Sequence, residues 1–309
     1  MIRPLLQRFF PSIWIGEFRS KAEFDGSLFK LAPAFSVYDW IDDRVLYSRH
    51  RFTYPAYCSA CEQVTQMRID WLWGGWSSTT SSVHPAWTET CVCQQCGLNS
   101  RMRALIDFLK VRCNPKNIKN AFIAEQVTPF YRVLKRMIPS VIGSEYLGPG
   151  YKSGKRVFNW RYLQCIRHED LTNLSFPGCQ FDLVITLDVF EHIPNYRTAF
   201  GEIYRILRPS GLLVFTIPFF YDQEITRIRA VVNGDGTITH LLPPEIHGNP
   251  ISGRGSLCFQ NFGWDILDDL RKTGFADASA ALYWGPWQGH LGYPFFVFYA
   301  IKPKIIQRG

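Results

Sequence analysis

From about residue 118 onward, short apolar runs alternate with segments whose apolar residues recur every three or four positions. The runs are NAFIA, VIGSEYL, YLQCI, FDLVITL, GLLVFTIP, ASAALYW and PFFVFYAI. Seven candidate strands in mostly β–α order predict an α/β sheet with helices on both faces. The last two runs have no helix between them, so the sheet is expected to finish in an antiparallel hairpin. Between the fifth and sixth runs, VVNGDGTITHLLPPEIHGNPISGRGS is rich in Gly and Pro and too long for an ordinary connection. Insertions of that kind tend to carry function. The clearest segment is 181–219: a buried strand ending at Asp188, then a helix from about Pro194-Asn195. Apolar residues at 199, 200, 203, 206 and 207 give that helix one inward stripe. Pro209 and Gly211 are expected to end it before LLVFTI starts the next strand.

Ahead of residue 118 the pattern differs. Residues 1–57 are rich in aromatics without a clear period and read as an N-terminal arm. Residues 58–117 form a second region, bounded by cysteine pairs around the loop WLWGGWSSTTSSVHP. It closes with RMRALIDFLK, where apolar residues at 102, 105, 106 and 109 have helical spacing. Residues 118–309 then make the α/β domain. No internal repeat is seen.

The cysteines change the picture most. Cys58-Ser-Ala-Cys61 and Cys93-Gln-Gln-Cys96 are two C-x2-C pairs 31 residues apart. Each can present two thiolates from a tight knuckle, and four thiolates suit tetrahedral Zn²⁺. A small zinc-ribbon-like module is expected, with a structural metal, since four thiolates leave no open position for water. Cys91 is an alternative to Cys93. Cys93 is preferred because Gly97 follows its knuckle, where positive φ is easily met. Cys113, Cys165, Cys179 and Cys258 are scattered and read as inert thiols.

Composition adds little: 47% hydrophobic and 19% charged residues are ordinary, and 16% aromatics hint at aromatic-lined pockets. No apolar run reaches the ~18 residues of a membrane helix. The opening MIRPLLQRFFPSIW lacks a long apolar core and a small-residue cleavage site, so a cytoplasmic protein is expected. Of the net charge of +8, five units lie in residues 1–120, which hold 15 Lys/Arg against 10 Asp/Glu. Four zinc-bound thiolates would offset about two of these. So mild a bias fits nucleic acid, an anionic sugar nucleotide, a membrane surface or no partner at all.

The run from strand through D-x-x-EH-x-P, helix and LRP-x-G to the next strand resembles the class I S-adenosylmethionine-dependent methyltransferases. It is most like the type 11 group, whose loop reads D-V-x-E-H-[IV]-P. The likeness covers 118–302 in layout and is most specific over 165–219. The cysteine module, with C-Q-Q-C-G-L-N-S-R-x-R-A ahead of E-Q-V-T-P, resembles a methyltransferase subgroup with a cysteine-rich N-terminal part. The resemblance implies a Rossmann-like seven-stranded sheet with an antiparallel last strand, and S-adenosylmethionine as methyl donor. Glu145, 20 residues after Glu125, would accept from the ribose hydroxyls; a solvated strand-end acid is the alternative. Asp170 would accept from the adenine amino group and Leu171 would offer its N–H to the ring, unless Asp170 simply caps a helix. Asp188 would lie near the methionine part.

The first turn, AEQVTP, lacks the glycines of a dinucleotide fingerprint. Glycines let the backbone approach a pyrophosphate, and S-adenosylmethionine has no phosphate. Thr128 as N-cap and Pro129 at N1 still start a helix. Glu125, Gln126 and Thr128 are therefore cofactor-binding candidates, Glu125 as acceptor for the ammonium. His192 and His247 are candidate bases for a hydroxyl acceptor; His192 is otherwise a residue that orients its loop. His247-Gly248-Asn249-Pro250 lies in the insertion expected to close over the acceptor. Trp160, Trp284 and Trp287 offer stacking faces or simply pack. The favoured reading is transfer of methyl to a small molecule or glycan, most readily a hydroxyl. The rivals are an RNA or protein methyltransferase docking through its zinc module, nucleic acid being the less favoured partner, and a non-catalytic protein with this fold.

Overall fold

The computed structural model describes residues 14–46, 48, 50–77 and 82–304. Residues 1–13 of the opening stretch and 78–81 of the Gly/Ser/Thr loop lie outside the described residues. Hydrogen bonding orders seven strands in one sheet. In chain order they are β1 (Trp14–Phe18), β2 (Ala121–Ile123), β3 (Ile142–Gly143), β4 (Phe181–Leu187), β5 (Leu207–Thr216), β6 (Asp277–Gly285) and β7 (His290–Ile301). Their order across the sheet is β1-β6-β7-β5-β4-β2-β3. The strands β3, β2, β4 and β5 run parallel, and β7 runs antiparallel to β5 with Phe215 opposite Phe298. The expected antiparallel ending is therefore present.

One expected strand is not in this sheet. Gln164–Arg167, the centre of YLQCI, pairs antiparallel with Arg156–Asn159 in a separate hairpin. Beside the parallel strands it is joined by an isolated bridge between Glu145 and His168 and by the Gln126 side chain, which reaches Cys165 O and Arg167 N. The alternation in Arg156–Asn159 is mostly exposed, and such a ribbon has too little apolar surface to join a two-faced core. The seventh place is taken by β1, from the segment read as an arm without period. That segment also holds a helix, Lys21–Val45, with Pro33 inside it.

By its internal contacts the chain divides into two compact units, 1–18 with 22–115 and 280–297, and 19–21 with 116–279 and 298–309. In the first unit, Phe52–Cys58 pairs with Gln63–Ile69, which pairs in turn with Val92–Cys93. Their inner faces bury Phe52, Ala56, Met67, Ile69, Trp87 and Leu291 around the cysteines. The helix Ser100–Arg112 is capped by the Asn99 side chain, which accepts from Met102 N, and buries Leu105, Ile106 and Leu109 as the spacing predicts.

In the second unit, β4 is buried along its inner length and reads as the apolar run that a strand covered on both faces requires. The helix Pro129–Met137 starts at Thr128, whose Oγ1 accepts from Tyr131 N. Asn195 caps the helix Tyr196–Ile206. Its buried stripe is Ala199, Phe200, Ile203 and Ile206. The helix ends at Ile206, ahead of Pro209, because β5 already begins at Leu207. The long insertion is two small antiparallel ribbons, Ala230–Val232 with Ile238–His240 and Ile246–His247 with Ser256–Leu257. Among the described residues, no helix is long and apolar enough to cross a membrane.

Candidate functional site

Ligands of open parallel sheets sit beyond the carboxyl ends of the strands. Beyond β2, β3 and β4 the chain places Glu125, Glu145 and Asp188, in the second unit. Glu145 is buried, and its Oε1 accepts from Gln126 N at 2.7 Å and Val127 N at 3.0 Å. The acid thus ties the end of β3 to the first turn. No hydrogen bond is made at its Oε2 among the described residues. Burial raises the pKa of Glu145, and the two amides oppose that rise. Gly143 is needed on β3: a Cβ there would sit 2.6 Å from the Glu125 carbonyl oxygen and 2.6 Å from the Tyr131 ring.

The first turn manages without glycine for a visible reason. None of residues 124–128 takes a positive φ, so any L-residue fits the backbone. Glu125 accepts at Oε1 from Thr128 Oγ1 at 2.7 Å. The Gln126 side chain turns to the hairpin, donating from Nε2 to Cys165 O at 2.9 Å and accepting at Oε1 from Arg167 N at 2.9 Å. Of the three turn candidates, Gln126 therefore has its amide on backbone, and Thr128 is a cap.

Asp170 Oδ1 accepts from Thr172 N at 2.8 Å and Thr172 Oγ1 at 2.7 Å. It closes a tight Asx turn; no helix follows, so helix capping is not its role. Leu171 beside it is buried. Asp188 has φ of 49°, a conformation Asp tolerates better than most residues. It is held by Thr216 at the end of β5, whose Oγ1 donates to Asp188 Oδ1 at 2.8 Å. Trp160 is exposed in the hairpin of the second unit. Trp284 is buried and Trp287 exposed in the first.

The turn after β4 carries Glu191 and His192, and the insertion brings His247 and Cys258 to them. His192 Nε2 and His247 Nδ1 lie 3.6 and 3.7 Å from Glu191 Oε1. Those are ion-pair distances, and among the described residues neither carboxylate oxygen has a hydrogen-bond partner although the residue is 0% exposed. Burial pushes the Glu191 pKa up to about 7. His247 is raised to about 11, first by the Cys258 sulfur and then by Glu191 and Glu245. His192 is lowered by burial. At neutral pH without other ligands, His192 is the histidine able to take a proton, and His247 holds its own. Sequence reasoning brought out the two histidines but read Cys258 as inert and did not assign Glu191 a role. The Glu-His pair and a cysteine in the functional insertion were the available signals.

In the first unit, Cys58, Cys61, Cys93 and Cys96 gather with their sulfurs all within 4.8 Å. Cys58 and Cys96 sulfurs are 3.7 Å apart, and those of Cys61 and Cys93 are 3.9 Å apart. Tetrahedral zinc with Zn–S bonds of about 2.3 Å requires about 3.8 Å between sulfurs, so the set fits that ion. Cys91 points elsewhere, with its sulfur 3.2 Å from the Gly289 carbonyl oxygen. Gly97 has φ of 75°, as its place after the knuckle requires.

Residues 129–215, well under half of the chain, match the family model described as "Methyltransferase domain". A sterol 24-C-methyltransferase of Eremothecium gossypii is 40% identical over 43 residues, 14% of this chain and 12% of that protein. A demethylmenaquinone methyltransferase of Thermus thermophilus is 24% identical over 160 residues, 47% of this chain and 73% of that protein. A solved S-adenosylmethionine-dependent methyltransferase from Mesorhizobium loti aligns over 60% of this chain and 91% of its own, at 15% identity and a TM-score of 0.37. The family match thus makes residues 129–215 similar to a methyltransferase domain, in line with the expected enzyme class.

Proposed function

We propose that the protein moves a methyl group from S-adenosylmethionine to a small-molecule or glycan acceptor, a hydroxyl by preference. The observation that carries this reading is Glu145. It is a buried carboxylate at the end of the second parallel strand, with one oxygen on the first-turn amides and the other able to accept from a ribose. The residues fit the cofactor's chemistry in kind. Glu125 is an acceptor for an ammonium, Asp188 an acid at the switch point of the sheet, and Asp170 with Leu171 an edge for adenine. When bound, S-adenosylmethionine supplies a methyl already activated on a sulfonium. The chain's task is then alignment, which contributes much of the rate in such transfers. A hydroxyl acceptor gives up a proton, and of the two candidate catalytic histidines only His192 is uncharged at neutral pH. The curated relatives' names, a sterol and a demethylmenaquinone methyltransferase, favour a small-molecule acceptor over a macromolecule.

For the first unit, the reading is a structural zinc held by Cys58, Cys61, Cys93 and Cys96. Four thiolates close the coordination shell, so this ion stabilises rather than reacts. The methyl-transfer reading is tested by calorimetry with S-adenosylmethionine and its demethylated product. Micromolar binding that Glu145→Ala abolishes is expected, and absence of binding to either compound overturns it.

A further inference from the structure

Glu191 poses a problem that the methyl-transfer reading leaves unsolved. Glu191 has no exposed surface and, among the described residues, no hydrogen bond at either oxygen, so its charge is met only at ion-pair distance, by His192 and His247. Buried charges are normally paired, hydrogen-bonded or bound to metal. What surrounds Glu191 is a set of metal-binding side chains. His192, His247 and Cys258 each offer a ligand atom within 4.8 Å of the others. Glu191 Oε1 is 3.6 Å from His192 Nε2 and 3.7 Å from His247 Nδ1, and Cys258 Sγ lies beside the His247 ring, 3.8 Å from Nδ1 and 3.7 Å from Nε2. Four-coordinate zinc, with bonds of about 2.0–2.3 Å, puts neighbouring donors about 3.3–3.8 Å apart.

The far side of each imidazole is arranged as a metal ligand needs. A ligating histidine donates its other ring N–H to a carbonyl or carboxylate, which fixes the tautomer and aims the ring. His192 Nδ1 lies 2.9 Å from the Leu257 carbonyl oxygen, so its N–H donates there and Nε2 is left as the ligand. His247 Nε2 lies 2.8 Å from Glu245 Oε1, which leaves Nδ1 facing Glu191. Backbone bonds hold the parts in place: Cys258 N donates to Glu245 O at 2.8 Å, and Phe259 N donates to Glu191 O at 2.7 Å. Charge also balances, since two neutral imidazoles, one carboxylate and one thiolate match a dication. The thiolate and imidazoles favour zinc over magnesium or calcium.

We infer that His192, His247 and Cys258, which come within 4.8 Å of one another, form a second, mixed-ligand zinc site, distinct from the four-cysteine cluster, with Glu191 Oε1 beside the two imidazoles to complete it. It joins the turn after β4 to the insertion, so the ion pins residues 246–258 beside the strand end. Zinc on His192 Nε2 would occupy the lone pair a base needs, so with the ion bound His192 is a ligand and not the base; metal uptake otherwise does not depend on the methyl-transfer reading, and its failure is told apart by metal content rather than turnover.

The test is zinc content of the full chain, grown with zinc, dialysed and measured by mass spectrometry, beside His247→Gln and Cys258→Ser. Each variant is expected to lose about one zinc per chain relative to the parent, with circular dichroism unchanged. Equal zinc in parent and both variants overturns the site. A parent with only one zinc that drops to none would leave this site standing and empty the four-cysteine one. Should both variants unfold, X-ray absorption on the zinc-loaded parent decides. A first shell mixing sulfur with nitrogen or oxygen is expected, and an all-sulfur shell refutes the proposal.

Discussion

Glu145→Gln separates what Glu145 does for the fold from what it does for a cofactor. The substitution leaves an amide oxygen able to accept from Gln126 N and Val127 N, now 2.7 and 3.0 Å from Oε1. A hydrogen bond to a charged acceptor is worth about 1.5–3 kcal/mol, and one to a neutral acceptor about 0.5–1.5. Two weakened bonds therefore cost the fold about 2 kcal/mol. At the other position a donor NH₂ replaces an oxygen that would accept from ribose. One charge-assisted bond of about 1.5–3 kcal/mol is lost there, which raises Kd about 10- to 150-fold. Glu145→Ala loses more on both counts, because the two turn amides then have no acceptor. Calorimetric titration with the demethylated cofactor, paired with urea unfolding, reads both effects. Burial raises the pKa of Glu145 above its ordinary 4.5. Affinity should hold at neutral pH and weaken as pH falls through that raised value, because the ligand's hydroxyls favour the carboxylate. A folded Glu145→Gln protein that binds within about twofold of the parent, less than 0.5 kcal/mol, refutes the assignment of Glu145 to the ribose.

Other outcomes follow from the first unit and the first turn. Arg103 is fully buried and donates to the carbonyls of Cys91, Leu98, Gln288 and Gly289 at 2.8, 3.0, 3.3 and 2.8 Å. Arg103→Met removes four hydrogen bonds, although Leu98 O still accepts from Cys93 N and Gly289 O from Cys91 Sγ, and should cost about 3–5 kcal/mol in urea unfolding; a loss under about 1 kcal/mol means that water replaces the guanidinium. His290 is buried beside Ser100 Oγ, 2.9 Å from Nδ1, and burial lowers its pKa well below 6.5. As pH falls below 6.5 the unfolded chain takes the proton first, so stability declines by up to about 1.4 kcal/mol per pH unit. A His290→Phe protein should lack that part of the pH dependence. Cys93→Ser should release about one zinc per chain and destabilise the first unit, whereas Cys91→Ser should keep the metal. Gln126→Ala should loosen the hairpin of residues 156–167, seen as faster amide exchange at Arg167, and weaken adenine contacts more than ribose contacts.

Much of the second unit was legible because its signals are local. The apolar run of β4, the Asn195 cap and the stripe at 199, 200, 203 and 206 depend on spacing alone. So do the two cysteine knuckles and the Thr128-Pro129 helix start. What was hidden depends on partners distant in the chain. YLQCI has the composition of a sheet strand, but nothing in it says that Arg156–Asn159 competes for its edge. Trp14–Phe18 pairs with residues 280–283, a register that no window of neighbouring residues could reveal. Cys258 reads as one more buried thiol until the insertion folds and sets it 3.8 Å from His247.

The glycine-free first turn joins these two kinds of information. In a parallel sheet the strand beyond β3 would normally supply backbone partners to that edge. Here the segment that would have done so is a hairpin, attached by the Glu145–His168 bridge and by the Gln126 side chain. Gln126 presents one donor and one acceptor to Cys165 O and Arg167 N, the same pair of groups that a neighbouring backbone peptide would offer. A glycine at 126 could not do this. The residue that first looks like damage to a cofactor turn thus adds to the backbone bonds, Glu145 N to Arg167 O and Glu169 N to Glu145 O, that set Asp170 and Leu171 near Glu145. On this argument Gln126→Gly, which restores the usual residue of such turns, should not improve cofactor binding. It should instead weaken contacts made by the adenine side more than those made by the ribose. Adenosine and its deoxy analogues as probes would separate the two, and a tighter-binding Gln126→Gly protein would contradict the structural role given to this side chain.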